Sequence, residues 1–277
     1  MMETPFWNRR RRTIALAVCS AGLLVLIAVL GYVWEKDAMV TDFSRKNLAP
    51  CGSWLFGTDW LGRDMAKRTV AGLSVSIRLG AAAAAVSAGI ALLLGLLAAL
   101  GGAAADGIVS GIIDLVMGIP HILLLILISY AMGKGETGVA AGIALTHWPS
   151  LARLLRAEVL QLKIRPYIQI AEKMGMSPFS IAVQHMLPHL LPQFITGLIL
   201  LFPHAILHEA SVTFLGFGLP PEEPAIGIIL SESMKYLMTG QWWLAVFPGA
   251  ALVAVVLLFE GLGRNVSRLL SPGSVHE

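Results

Sequence analysis

Residues 148–192 read WPSLARLLRAEVLQLKIRPYIQIAEKMGMSPFSIAVQHMLPHLLP, a polar interval set between apolar runs. Its second half has helical order with a break in the middle. Pro166 fits the first position of a helix, where a missing N–H costs nothing. Tyr167, Ile170, Ala171 and Met174 then fall at i, i+3, i+4 and i+7, one apolar stripe on a short helix. Gly175 can take the left-handed conformation that ends it. Ser177 as N-cap and Pro178 as first helical residue start a second helix, with Phe179, Ala182, Val183 and Met186 on its apolar face. Two short helices joined by a glycine elbow, lying between membrane spans, have the form of a docking handle.

The composition places that handle on a membrane protein. Of 277 residues, 56% are hydrophobic and 13% charged, against roughly 25% charged in a soluble domain. Cys19 lies in an apolar run and Cys51 in a loop, so no disulfide framework is expected. The basic residues cluster at the ends of apolar runs, which suits orientation in a bilayer and not nucleic-acid binding. Arg9 to Arg12 read as a cytoplasmic anchor before a retained first span; the rival is a cleaved signal peptide. The uncharged run from Thr13 to Trp34 is 22 residues, longer than a signal's apolar region.

Hydropathy predicts an all-α, polytopic protein with six spans at about 13–34, 79–100, 108–132, 137–155, 189–214 and 242–262. The whole chain, 1–277, reads as one membrane domain with both termini cytoplasmic. Residues 35–78 form an external loop with seven basic and five acidic residues, and from Trp60 onward an interfacial amphipathic helix is expected through Leu61, Met65, Arg68 and Gly72. Residues 156–188 form the cytoplasmic loop that carries the elbow. The alanines and glycines of the second span allow close helix approach, so it should pack centrally. Asp114 in the third span is expected to face protein or water, in a structural or a pathway role.

Several stretches resemble one family. Gly57-Thr58-Asp59-Trp60-Leu61-Gly62-Arg63-Asp64 is similar to the G-T-D-x-L-G-R-D signature of ABC-importer permeases, C-type subunits of the dipeptide, oligopeptide and nickel branch. Two glycines flanking alternating Asp and Arg also fit a tight turn with internal ion pairs. Trp148, Ala152, Arg153, Arg156 and Glu158 match the family's W-x-x-Y-A-R-x-x-R-x-E. Glu209 to Gly218 resembles E-A-S-L-S-F-L-G-L-G, and Phe247-Pro248-Gly249 matches F-P-G. In the elbow Ala171, Gly175, Leu187 and Pro188 match E-A-A-x-x-x-G followed by I-x-L-P, while Gln169, Ile170 and His185 depart from it. Arg264 stands where the family ending has an aspartate.

The resemblance implies a transport subunit in the bacterial inner membrane, not an enzyme. It implies a homologous second permease subunit, two ATP-binding subunits that grip the elbow, and an extracytoplasmic substrate-binding protein. No cofactor is expected in this chain; ATP and Mg²⁺ belong to the ATPase partners. That agrees with the lack of a G-x-x-x-x-G-K-[ST] phosphate loop. His204 and His208 are one turn apart on one face, a spacing that can chelate a transition metal or equally pack across a helix interface. With Glu209 nearby, the pair resembles the H-x-x-x-H of nickel permeases of the C type, a resemblance that implies nickel or a related metal as cargo, with dipeptides or oligopeptides as the other reading. A multi-pass enzyme acting through the histidines with Asp114, Glu209 or Glu260, and a passive channel, are the remaining classes.

Overall fold

A computed structural model describes residues 9–270. The expected cytoplasmic placement of the chain ends concerns residues outside that range. The protein is all-α, and no strand occurs among the described residues. Helix α1 (Arg9–Trp34) is followed by two 3₁₀ turns, then α2 (Met65–Leu100), α3 (Gly102–Gly118), α4 (His121–Ala131), α5 (Gly135–Thr146) and α6 (Trp148–Lys163). The elbow is α7 (Pro166–Lys173) and α8 (Pro178–Ile181). A π-helical turn, Ala182–Met186, leads into α9 (Leu187–Phe214), and α10 (Ile226–Leu237) and α11 (Trp243–Leu270) complete the chain.

Helix α2 is the axis of the bundle, packing against α1, α6 and α9. Its buried face is built from Ala83, Ala84, Ala88, Ala91 and Gly95, as close backbone approach requires. A Cβ on Gly95 would lie 2.9 Å from the carbonyl oxygen of Ala152 on α6. The helix begins fourteen residues before the span expected at 79. Residues 65–78, expected as an interfacial helix in an external loop, are instead its first turns, with Met65, Arg68, Gly72 and Ser76 buried. Asp64 starts it by accepting hydrogen bonds from the amides of Ala66 and Lys67. Arg68, which argued against burial, is neutralised by carboxylates described below.

Among the described residues, four helices are long and apolar enough to cross a membrane: Arg10–Trp34, α2, the continuous run Pro178–Phe214, and α11. A fifth span results if α3 and α4, bent by 98°, count as one. The six-span expectation therefore changes in two places. The third span breaks at Ile119 and Pro120: proline cannot donate to the helical ladder and forces the residue before it into extended backbone, and Ile119 sits at φ −88°, ψ 137°. The fourth divides at His147 into α5 and α6, each shorter than a full span. There Pro149 leaves the Leu145 carbonyl without its helical donor, and the Trp148 indole N–H donates to it at 3.0 Å. At the other end of the chain, α11 continues past 262, so Arg264 and Arg268 lie on a helix and not in a tail.

The fifth span begins earlier than expected because α8 runs into it. Pro188 has no N–H, and the turn before it widens: the Leu187 amide donates five residues back to the Ala182 carbonyl.

Candidate functional site

The elbow follows from its sequence. The Met174 amide donates to Ile170, the Gly175 amide to Glu172 and the Met176 amide to Ala171, a helix ending that closes through Gly175 at φ +82°. Ser177 caps α8, its Oγ accepting from the Ser180 amide at 3.2 Å. The apolar stripe divides into two parts. Ile168, Ala171, Ile181 and Met186 are buried and anchor the elbow to the bundle. Tyr167, Ile170 and Val183 face outward with Met174 (79% exposed) and Phe179 (78% exposed). Ala182 and Leu187 are half-buried, and Pro188 is exposed. Ile168, off the expected stripe, is an anchor that the i, i+3, i+4 pattern did not show.

At the base of the elbow two arginines of α6 reach α3. Arg156 makes a two-pronged pair with Asp106, at 2.6 Å through Nη2. Arg153 pairs with Asp114 at 2.8 Å, both largely exposed. Asp114 therefore has an ion partner from the next helix pair. Lys163, at the end of α6, donates to the Ala99 carbonyl at 3.0 Å and joins the elbow's root to the far end of α2.

The Gly57–Asp64 stretch lies at the opposite end of α2. It is a tight turn with Gly57 at φ +72° and Gly62 at φ +75°, where a Cβ on Gly62 would overlap the Asp42 carbonyl oxygen. Thr58 Oγ1 accepts from the Leu48 amide and donates to the Arg45 carbonyl. Asp59 is fully buried: one oxygen accepts from the amides of Leu61 and Arg63, the other from Arg63 Nε at 2.7 Å and Arg68 Nη1 at 3.0 Å. Arg68 also donates to Glu232 on α10 at 2.6 Å. Trp60 lies against both guanidiniums and stacks on Tyr236. Two buried cations and two carboxylates thus fasten the turn, the start of α2 and α10 together. Glu232, 164 positions from Arg68, is the partner no local pattern could supply.

Glu209 is fully buried and accepts hydrogen bonds from Ser76 of α2 and Thr213 of its own helix. His204 is exposed. His208 lies against His121 and His147, with ring centroids 4.5 and 5.1 Å away. His121 directly follows Pro120 and His147 stands two residues before Pro149, each at a helix break. That shared context is the signal sequence reading passed over.

Residues 91–272 match the family described as "Binding-protein-dependent transport system inner membrane component". The chain belongs to that family. Over 272 residues the permease is 29% identical to the "Dipeptide transport system permease protein" of Bacillus subtilis, spanning 96% of this chain and 84% of that one. It is 33% identical over 251 residues to a "Putative peptide permease protein" of Brucella suis, spanning 90% and 83%. The inward-facing MetNI methionine ABC transporter superposes with a TM-score of 0.62 at 20% identity, over 75% of this chain and 98% of that chain, and shares the fold. The protein is a multi-pass membrane subunit of an ABC importer and not an enzyme. Both relatives carry the names of peptide permeases, and neither name supports the nickel expectation.

The permease also carries an acidic cavity lined by Glu35, Arg78, Glu136 and Glu223. Burial, followed by the nearby charges of Glu136, Glu35 and Glu222, raises the Glu223 carboxyl above its ordinary value.

Proposed function

We propose that this chain is one permease half of a binding-protein-dependent importer of dipeptides or oligopeptides. The observation that carries the reading is similarity to a dipeptide permease along 96% of the chain. A second, homologous permease subunit completes the passage, and an extracytoplasmic binding protein delivers the peptide. Two ATP-binding subunits supply ATP and Mg²⁺ and grip the elbow from the cytoplasm.

The exposed apolar surface of Tyr167, Ile170, Met174 and Phe179 supports the last point. Apolar side chains held out on a rigid two-helix elbow suit a partner's groove, where a few large anchors carry most of the binding energy. Because the elbow's inner residues are packed into the bundle and Lys163 ties its root to α2, a push on the elbow reaches the spans without being absorbed by a loose loop. The orientation we assign puts the elbow in the cytoplasm and the Gly57–Asp64 turn on the outer face.

The test is peptide uptake in a strain lacking this chain, re-supplied with the wild type. Loss of labelled di- and tripeptide uptake that the wild-type chain restores supports the reading. Unchanged uptake of peptides of two to five residues, with the other subunits present, would refute the substrate class while leaving the family intact.

A further inference from the structure

We propose that His121, His147 and His208 form a binding site for a divalent transition-metal ion. Each offers one ring nitrogen, and these three atoms all lie within 4.8 Å of one another. The rings of His121 and His147 are 4.6 Å apart, centroid to centroid, and meet edge to face. The residues come from separate elements: His121 opens α4 after the Pro120 break, His147 stands between α5 and α6, and His208 is on α9.

The hydrogen bonds of His147 fix its role. Its Nδ1 lies 3.0 Å from the Ile143 carbonyl oxygen, which can only accept, so the ring hydrogen sits on Nδ1. Thr146 Oγ1, 3.1 Å away, donates its own hydrogen to Gly142 and can share the same Nδ1–H. The Nε2 lone pair is left free. A metal-bound imidazole is held this way, with one nitrogen donating to a backbone carbonyl and the other turned to the ion.

Nε2 of His147 and Nε2 of His121 are both buried with no hydrogen-bond partner among the described residues. A buried polar atom left unpaired destabilises the fold. Two of them in touching rings are hard to account for as packing and are what an ion would satisfy.

The donor set selects the ion. Three imidazoles without a carboxylate suit zinc, nickel, cobalt or copper, and exclude the oxygen-seeking calcium and magnesium. Glu209, next in sequence to His208, does not join, because Ser76 and Thr213 hold its oxygens. Three protein ligands leave a fourth tetrahedral position for water or another small donor. An ion there would join the two helix breaks to α9 and hold the three elements in one arrangement.

The experiment uses the assembled transporter, stripped with chelator and titrated with Co²⁺, whose four-coordinate complexes absorb in the visible. We expect the band to saturate at one ion per copy of this chain and Zn²⁺ to abolish it by competition. His147→Ala and His121→Ala should each weaken binding at least 100-fold, whereas His204→Ala should bind as the wild type does. Because an alanine variant can misfold, the wild-type titration decides by itself: no saturable band and no retained Zn²⁺ after dialysis would overturn the site. Loss of binding in His204→Ala with none in His147→Ala would also overturn it, moving the ion to the α9 pair.

Discussion

Asp59 accepts hydrogen bonds from two backbone amides and two guanidiniums while wholly excluded from solvent. Removing one partner of a buried ion pair strands the others, at about 3–5 kcal/mol. Asp59→Ala should therefore lower the thermal midpoint of the purified transporter sharply and reduce its level in membranes. A midpoint within a degree of wild type would show that the network carries no stability. Gly62→Ala should act by a different route, since the added Cβ meets the Asp42 carbonyl and the residue sits at positive φ. A further residue-scale expectation concerns Glu223, whose folded-state pKa is raised above its ordinary 4.5. A carboxyl that binds its proton more tightly when folded stabilises the fold at low pH and loses that contribution as pH rises through the folded value. Melting curves from pH 4 to pH 8 should show this decline in the wild type, and Glu223→Gln should flatten it.

The elbow was the most legible element, because its punctuation is local: Pro166, Gly175, Ser177 and Pro178 each dictate backbone within a turn. Its division of labour was not, since which of Ile168 or Ile170 faces the bundle depends on where the elbow docks. The start of α2 was misjudged for a related reason. Leu61, Met65, Arg68 and Gly72 look like an interfacial stripe until Glu232 and Asp59 are known to meet Arg68. The breaks at Pro120 and Pro149 were visible as prolines, but whether a proline kinks or ends a helix is settled by packing. The grouping of the histidine trio was illegible because its members are distant in sequence, although a nearby proline marks two of them. At this scale the test is mechanical. Gly175→Pro, which alters the elbow angle, and Met174→Glu, which places charge on its apolar face, should leave the chain in the membrane while ATP hydrolysis no longer drives uptake. Full transport by both variants would remove the elbow from the coupling path.

Across the whole molecule the Gly57–Asp64 turn and the elbow lie at opposite ends of α2. With Cys19 and Cys51 replaced by serine, Leu55→Cys should react with a membrane-impermeant thiol reagent in intact cells. Phe179→Cys should react only once the membrane is opened and the ATP-binding partners are stripped away. Labelling of both from one side would overturn the orientation. The length of α2 has a consequence of its own. Its 36 residues make a rod about 54 Å long at 1.5 Å per residue, well beyond a hydrocarbon core of about 30 Å. The rod is gripped at its start by the buried ion network and near its end by Lys163. Were it to pivot about the first grip, a tilt of only about 10° would sweep the far end through roughly 9 Å, the geometry of a lever that turns a small angle into a large stroke.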